Sequence, residues 1–315
     1  MARACTALAC PQPMVERCPL CGADDAVLVG RVSYAEIFAA LERVWSITVP
    51  APIAAHHTPS TFAELVRCSS CELEYFAGAV PADGDLYALL TSNGNLRYER
   101  NRWEHRIVRR LVGSGDTIVD FGAGTGHFLR RFRGRVARVV GVDYNPAAAE
   151  AMRSAGIEAH TVTFRDFAAC NRAEFTTATA FHLIEHVPDV AELVESAHTV
   201  LKPGGRFFVS TPHRDRTVRD LLEPLDHPPH HVSHWSPAQF EQLARQFGFD
   251  LEAVEVAPAT EAAVREMTRF AEGFHPLVLR ATRALVRRSG FAAIFAWAQP
   301  RESIGPAILA HLVRR

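Results

Sequence analysis

The sequence predicts an α/β fold, with a large domain built on a parallel sheet and a small N-terminal domain built around cysteines. Short apolar runs alternate with helical patterns from residue 117 onward, and such alternation is typical of strands in a parallel sheet. Two Cys-x-x-C pairs, Cys18–Cys21 and Cys68–Cys71, precede this alternation. The chain of 315 residues is long enough for one large and one small domain.

The composition is that of a globular protein with no dominant charge. Hydrophobic residues make up 48% of the chain and the formal net charge is −1, so we expect no global attraction to nucleic acid or to a membrane surface. No apolar run is long enough for a transmembrane helix, and Met1–Val15 does not resemble a signal peptide. We therefore expect a cytoplasmic protein whose seven cysteines are thiols or metal ligands rather than disulfides.

Four cysteines predict a metal site in the small domain. Each pair forms a short Cys-x-x-C knuckle, and four thiolates are ligands that suit a structural Zn²⁺ ion. The predicted ligands are Cys18, Cys21, Cys68 and Cys71. We assign residues 17–80 to this zinc-ribbon domain and residues 1–16 to a flexible tail; the alternative is two unrelated cysteine pairs. Cys5, Cys10 and Cys170 receive no role.

The stretch between the knuckles and the stretch after them predict two helices and one strand. Tyr34–Trp45 reads as an amphipathic helix inserted in the small domain, and Phe62–Val66 as the strand that leads into the second knuckle. Residues 78–95 contain Gly, Pro, Asp and Asn and predict a linker. Leu96–Val112 carries apolar residues on one side and predicts the first helix of the large domain, residues 81–315.

The large domain is predicted to contain seven strands and the helices that connect them. The predicted strands are Thr117–Phe121, Val136–Asp143, residues 157–164, Thr177–His182, Arg206–Ser210, Leu251–Val256 and Ala307–Val313. The predicted helices between them are His127–Arg133, Pro146–Ala155, Val190–Leu201 and Ala238–Phe247. Residues 259–303 form a helical insertion before the last strand.

A glycine-rich turn after the first of these strands is the strongest functional signal. Asp120 precedes Gly122, Gly124 and Gly126, whose spacing lets the backbone turn tightly and lets a ligand lie against the main chain. The N-terminus of the helix predicted to follow would face that ligand. The turn is not a dinucleotide fingerprint, because its third glycine would fall at His127, and no Gly-Lys-Ser/Thr follows as in a P-loop.

A carboxylate at the end of the next apolar run completes the pattern. Val139–Val142 ends in Asp143, and an acid in this place can accept hydrogen bonds from both hydroxyls of a ribose. Together with Asp120 and the glycines, this arrangement resembles the class I S-adenosylmethionine-dependent methyltransferases. The resemblance implies S-adenosylmethionine as methyl donor, a Rossmann-like sheet of seven strands and a seventh strand antiparallel beside the fifth. Tyr144 either stacks on the adenine or packs in the fold.

The segment after the fourth strand of the large domain contains a histidine that could contact the donor. Within Phe181–Pro188, His182-x-x-Glu185-His186 matches a zinc-peptidase pattern that needs a helix. Since His182 ends a predicted strand, we reject the peptidase. The segment resembles the corresponding part of small-molecule methyltransferases, which implies that His182 lies beside the methionine part of the donor. Glu185 and His186 either order the loop or take part in chemistry.

A histidine-rich loop supplies the candidate base. Asp226–Pro237 contains four histidines but no carboxylate or cysteine pattern that would define a metal geometry. The loop resembles the one after strand five in zinc-ribbon C-methyltransferases of deoxysugar biosynthesis, which carry a Tyr-x-x-His pair with the His as base. By that match His231 is the base, although Pro228 stands in place of the Tyr. His230 and His182 are further catalytic candidates, since imidazole titrates near cellular pH.

Three functions remain open on these patterns. The first is methylation of a small molecule, a sugar or natural-product intermediate, by in-line transfer with a His base. The second is a zinc-ribbon enzyme acting on ribosomal or transfer RNA; the arginines between residues 130 and 138 form a cluster that favours it, and the net charge of −1 argues against it. The third is a protein that binds the donor without methylating a substrate.

Residues 277–297 read as a basic amphipathic helix. Its basic face could be exposed to solvent, contact a second subunit, bind a phosphate group of the substrate or lie on a membrane surface. The substrate, acceptor atom and oligomeric state are undetermined.

Overall fold

The computed structural model describes residues 17–92, 102–216, 223–257 and 305–315. The strands are β1 Ala26–Ser33, β2 Phe62–Cys68, β3 Glu74–Ala77, β4 Thr117–Phe121, β5 Arg138–Val142, β6 Glu158–His160, β7 Phe175–Phe181, β8 Leu201–Pro212, β9 Ser233–His234, β10 Phe249–Val256 and β11 Ala307–Arg314. The helices are α1 Tyr34–Trp45, α2 Ala51–His57, α3 Gly84–Ser92, α4 Trp103–Leu111, α5 Pro146–Ser154, α6 Phe164–Cys170, α7 Val190–Val200 and α8 Pro237–Phe247. The tail predicted for residues 1–16, the insertion predicted for 259–303 and the basic segment 277–297 lie outside the described residues.

The large sheet confirms the seven-stranded α/β prediction. Its strand order is β10-β11-β8-β7-β4-β5-β6. The neighbours from β8 to β6 pair in parallel, whereas β11 runs antiparallel between β10 and β8. Parallel strands end at one edge of a sheet, so the turns after β4, β5, β7 and β8 meet there. This edge is where the sequence places its candidate ligand-binding residues.

Helix α1 has the predicted bounds because local capping interactions fix both its first and its last turn. Ser33 and Glu36 form a capping box: the Ser33 hydroxyl accepts from the Glu36 N–H at 3.2 Å, and the Glu36 carboxylate accepts from the Ser33 N–H at 3.1 Å. Ser46 ends the helix in the left-handed conformation, with φ of 56°. Ile37 and Leu41, one helical turn apart, are buried and fix the face that packs.

The sequence interpretation does not include three of the helices, which are α2, α3 and α6. Residues 78–95, predicted as a linker, include α3, whose first turn is held by the Asp83 side chain accepting from the Leu86 N–H at 2.9 Å. Residues 157–164, predicted as one strand, contain only the short β6. Thr163 then caps α6 by accepting from the Asp166 N–H at 3.0 Å.

The helix predicted for His127–Arg133 is wrong. The chain forms only a 3₁₀ turn over Leu129–Arg131. Gly126 and Gly134, with φ of 74° and 69°, leave the right-handed helical region on either side and confine any helix to the residues between them. A single turn carries little dipole. The ligand contact predicted for a helix N-terminus after the glycine loop is therefore not supported by the structure.

We expect Gly126→Ala to destabilise the protein more than Gly134→Ala. Both positions have a left-handed φ, which costs a non-glycine residue about 1–2 kcal/mol. A Cβ on Gly126 would lie 2.7 Å from Cγ of Met152, whereas a Cβ on Gly134 would meet no atom within 4 Å. Overpacking of this kind adds about 1–3 kcal/mol. Urea unfolding followed by circular dichroism measures both free energies; equal losses would show that crowding at Met152 has no effect.

The histidine-rich loop is tied to the small sheet. That sheet has the order β1-β2-β3-β9, so its fourth strand is Ser233–His234, which comes from the loop after β8. Tyr75 pairs with Ser233 and Glu74 with His234. The cysteine-bearing sheet therefore fixes one side of the loop that carries the candidate base. The division into domains at residue 80 stays a prediction.

Candidate active site and cysteine cluster

The loop after β4 offers an open surface of bare main chain. Gly122, Gly124 and Gly126 have φ of 66°, 53° and 74°. A Cβ on Gly122 would lie 2.9 Å from the side chain of Leu183, but a Cβ on Gly124 would meet nothing within 4 Å. Gly124 therefore faces open space against which a flat ligand can lie. This geometry is compatible with the prediction that a ligand lies against the main chain of the glycine loop, and Gly124 is the glycine that leaves most room for it.

Asp143 lies directly beside this surface. Its Oδ2 accepts from the N–H of Gly124 at 2.7 Å, and its Oδ1 accepts from the N–H of Asn145 at 2.9 Å. Burial raises the pKa of Asp143, and these two hydrogen bonds act in the opposite direction by favouring the carboxylate. The carboxylate is thus held at the end of β5, next to the loop, where the sequence predicted a ribose contact.

Tyr144 follows Asp143 and adds a partly exposed aromatic ring beside the glycine loop. Its side chain is 51% exposed, and its ring lies 4.7 Å from that of Phe164, between centres, with the planes tilted by 33°. Its hydroxyl accepts from the N–H of Phe164 at 3.4 Å. One face of Tyr144 packs on the fold while the remaining exposure leaves area for an adenine, so both roles considered for it are compatible.

Asp120 is placed differently from a surface ligand. Its side chain is buried in the sheet, and Oδ1 accepts from the hydroxyl of Thr179 on β7 at 2.7 Å. Burial, with a smaller contribution from the charge of Asp143, raises the pKa of Asp120 to about 7. Asp120 therefore lies inside the sheet, beneath the glycine loop that follows β4, and is hydrogen-bonded to β7.

The raised pKa of Asp120 predicts a pH-dependent loss of stability. The carboxyl group binds its proton more tightly in the folded chain, at a pKa of about 7, than in the unfolded chain, at 3.8. The stabilisation that the protonated Asp120 gives to the folded chain is therefore fully present below about pH 4 and is lost as the pH rises through about 7. We expect the free energy of unfolding of the wild type to fall, relative to Asp120→Asn, between about pH 4 and pH 7. If the difference in free energy of unfolding between the wild type and Asp120→Asn stayed constant over this range, the raised pKa of Asp120 would be contradicted.

His182 lies between two buried carboxylates at the end of β7. Nε2 is 3.2 Å from Oε1 of Glu104 on α4, and Nδ1 is 3.5 Å from Oε1 of Glu185. Burial opposes the charged imidazole, but the two carboxylates outweigh it and raise the pKa of His182. Burial likewise opposes ionisation of Glu104 and Glu185, yet His182 lowers the pKa of both. His182 is thus placed between two carboxylates that favour its protonated form, and Arg102 lies 3.8 Å from Glu104.

Glu104 is a residue that the sequence interpretation missed. A glutamate in the first turn of an amphipathic helix usually faces solvent, and nothing in its spacing distinguishes it. Here Glu104 is 0% exposed. His182 has a φ of 50°, rare for a residue that is not glycine, and this backbone turn places its ring against the glutamate.

The loop after β8 brings two predicted histidines against His186. Rings of His186 and His231 have centres 4.7 Å apart, and those of His230 and His231 are stacked at 4.6 Å. The N–H of Val232 donates to the carbonyl of Glu185 at 2.8 Å, which fixes the loop to the segment after β7. Leu183 of that segment contacts Gly122 of the donor loop. The segment after β7 therefore contacts both the glycine loop and the histidine-rich loop.

Asp226 and Arg216 complete the surroundings of His231. Nδ1 of His231 lies 3.3 Å from Oδ1 of Asp226, and Oδ2 of Asp226 pairs with Arg216. Burial, together with the neighbouring His230, holds the pKa of His231 well below its ordinary value. His231 is thus a neutral imidazole with a carboxylate on its Nδ1 side, the arrangement that orients a histidine for proton transfer. Pro228, in place of the family's Tyr, offers no hydroxyl to this cluster.

The four predicted cysteine ligands lie together. Sγ of Cys18 is 3.4 Å from that of Cys71, and Sγ of Cys21 is 3.5 Å from that of Cys68. All four sulfurs lie within 4.8 Å of one another. These separations are too long for disulfides, and they are close to the spacing of about 3.8 Å that four sulfurs adopt around a tetrahedral ion with bonds of about 2.3 Å. The donor set and its spacing fit Zn²⁺.

Across the four described stretches, no helix is long and apolar enough to cross a membrane.

Known proteins resemble part of this chain. A ubiquinone biosynthesis O-methyltransferase of Thiobacillus denitrificans is 28% identical over 168 residues, which cover 49% of this chain and 71% of that protein. A protein of the same name from Pseudomonas paraeruginosa is 33% identical over 115 residues, which are 35% of this chain and only 50% of the relative. The structure of a SAM-dependent methyltransferase from Archaeoglobus fulgidus superposes with a TM-score of 0.50 at 15% identity, over 74% of this chain and 100% of that one, and is similar in fold alone.

A family model completes the comparison. The model described as a methyltransferase domain matches residues 96–254, about half of the chain. The matched residues include the glycine loop, Asp143, His182 and the histidine-rich loop. The chain therefore belongs to the methyltransferase domain family, as an S-adenosylmethionine-dependent methyltransferase.

Proposed function

We propose that this enzyme methylates a hydroxyl group of a small molecule, such as a sugar or natural-product intermediate, with His231 as the general base. The single observation that carries this proposal is the pairing of His231 with Asp226, at 3.3 Å, in a loop that is hydrogen-bonded to the segment after β7. A hydroxyl must lose its proton as it is methylated, and a neutral, oriented imidazole is suited to accept it. The relatives' name, O-methyltransferase, supports oxygen as the acceptor atom.

The donor site is proposed to consist of the glycine loop, Asp143 and Tyr144. Asp143 would accept from the ribose hydroxyls, Gly124 would lie under the ligand, and Tyr144 would stack on the adenine with its exposed face. His182 would lie beside the methionine part and, held charged by Glu104 and Glu185, would orient it electrostatically. S-adenosylmethionine, when bound, supplies an activated methyl group, so the protein has mainly to align the acceptor and remove its proton.

Proton removal is proposed to use one nitrogen of His231. Asp226 lies on the Nδ1 side, so the proton of the neutral ring resides on Nδ1 and the lone pair on Nε2. Nε2 accepts the proton of the acceptor hydroxyl, and the Asp226 carboxylate stabilises the imidazolium that results. Arg216 holds Asp226 in place. His230, stacked on His231, supports the ring and is the second candidate for proton transfer.

The cysteine cluster is proposed to bind a structural Zn²⁺ ion through Cys18, Cys21, Cys68 and Cys71. Four thiolates fill a tetrahedral coordination sphere and leave no position for a substrate, so the ion would stabilise rather than catalyse. The small sheet, whose strand β2 ends at Cys68, also contains β9 of the histidine-rich loop. The zinc site would therefore hold one wall of the active site.

The assay for acceptor class is release of S-adenosylhomocysteine from purified enzyme and donor with two separate pools. One pool contains nucleotide sugars and hydroxylated metabolites, and the other contains total RNA. We expect release with the first pool only, because the net charge is −1 and Arg138 of the basic cluster is already paired with Glu158 at 2.7 Å and Glu174 at 2.5 Å. Release with RNA alone would overturn the proposal, and so would donor binding with release from neither pool.

A further inference from the structure

Three imidazoles meet between the segment after β7 and the histidine-rich loop. The ring centres of His186, His230 and His231 are 4.6, 4.7 and 4.6 Å apart in the three pairs. One ring nitrogen from each lies within 4.8 Å of the other two. Proton removal as proposed above needs only His231, so the convergence of the other two rings calls for a separate explanation.

The Nδ1 atom of every ring already faces an acceptor. Nδ1 of His186 donates to the carbonyl of His230 at 2.6 Å, and Nδ1 of His230 donates to the carbonyl of Leu225 at 2.8 Å. These protons can be placed because a carbonyl only accepts. Nδ1 of His231 faces the carboxylate of Asp226 at 3.3 Å. Histidines that bind metals are held in this way, through the ring nitrogen that does not ligate.

One of the remaining nitrogens has no partner. Nε2 of His230 is buried and has no hydrogen-bond partner among the described residues, and burying a polar atom unpaired costs free energy. The buried carboxylate of Glu185 lies close by, with Oε1 at 3.9 Å from Nε2 of His186 and at 3.5 Å from Nδ1 of His182. A cation among the three rings would interact favourably with both the lone pairs and the carboxylate.

We propose that His186, His230 and His231 bind a divalent transition-metal ion through Nε2, with Glu185 compensating its charge. Imidazole ligands select ions of the class of Zn²⁺, Co²⁺ and Ni²⁺. This site is separate from the four cysteines. One consequence rests on the proposed function: an ion on Nε2 of His231 takes the lone pair that accepts the proton, so filling the site inhibits methyl transfer.

The test is a Co²⁺ titration of protein without a histidine tag whose cysteine site has first been filled with one equivalent of Zn²⁺. We expect one further equivalent to bind, with visible d–d absorption and no thiolate-to-metal charge-transfer band. Absence of a second equivalent would overturn the site. A charge-transfer band would also overturn it, because the ion would then be bound by the cysteines.

Two variants test the ligands without removing their anchoring hydrogen bonds. In His230→Asn and His186→Asn the amide N–H can replace the Nδ1–H donor, while the Nε2 lone pair is lost. We expect the affinity for Co²⁺ to fall by about tenfold or more in each. His198→Asn, in a half-buried histidine on α7, is the matched control and should bind Co²⁺ like the wild type. Unchanged affinity in both test variants would contradict the proposal.

Activity measured in the same titration separates this inference from the proposed function. We expect release of S-adenosylhomocysteine to decline as the d–d band grows. If the band grows while turnover is unchanged or rises, the metal site stands and the role of His231 as base is overturned. If no band appears while His231→Asn still abolishes turnover, the metal site alone is wrong.

Discussion

His231→Asn is expected to lower kcat by about 10²–10⁴-fold, the usual contribution of a general base. The asparagine amide can still donate to Asp226, so the loop should keep its structure, but the Nε2 lone pair is lost. Donor affinity should stay within about twofold of the wild type, because the glycine loop and Asp143 are untouched. Single-turnover kinetics and calorimetric titration of the donor measure the two quantities.

The control for this prediction is His198→Asn, which alters a histidine on α7 and should leave kcat unchanged. A kcat of His231→Asn close to that of the wild type would show that another group accepts the proton, and His230 would be the next to examine. Loss of donor affinity together with kcat would instead show that the substitution damages the donor site.

Cys68→Ser is expected to abolish stoichiometric zinc binding and to unfold the small sheet. Cys68 is buried, and its thiolate is one of four that would fill the coordination sphere. Metal binding of this kind is coupled to folding, and apparent free energies of about 10–16 kcal/mol are found for structural zinc in small domains. Metal analysis should give about one equivalent for the wild type and less than half for the variant.

The loss of zinc is also expected to lower turnover, through contacts that join the small sheet to the large domain. Gln239 and Gln246 of α8 donate to the carbonyls of Cys71 and Leu20 at 3.1 and 2.9 Å, and β9 pairs with β3. Cys170→Ser changes an exposed thiol and is the control. A chelator should reproduce the effect of Cys68→Ser in the wild type. Full zinc content in Cys68→Ser would refute the four-cysteine site.

Much of the large sheet could be predicted because its strands are buried. Thr117–Phe121 has the predicted bounds, since a buried parallel strand is a continuous apolar run that ends at a turn. The antiparallel β11 could be placed only through the family resemblance. By contrast, β1 was missed: it is an edge strand whose Val27, Leu28 and Val29 are 61%, 58% and 43% exposed, so no alternation of polar and apolar residues marks it.

The candidate site could be predicted only where its residues share one stretch of chain. The glycines and Asp143 follow adjacent strands, and the cysteines carry their own spacing. The partners of the histidines are set by tertiary structure: Glu104 reaches His182 from α4, and Tyr87 on α3 lies 2.9 Å from Nδ1 of His186. No spacing in the sequence relates these pairs. The convergence of His186 with His230 and His231 could not be predicted either, because no spacing in the sequence relates the two segments.

The donor site is tested most directly by calorimetric titration of S-adenosylmethionine into the zinc-loaded wild type and Asp143→Ala. We expect one donor per chain in the wild type and an affinity at least about tenfold weaker in Asp143→Ala, because an alanine cannot accept from the ribose hydroxyls. Asp85→Ala, in the first turn of α3, should bind like the wild type. No donor binding by the wild type, or equal binding by Asp143→Ala, would contradict the donor site at the carboxyl edge of the sheet.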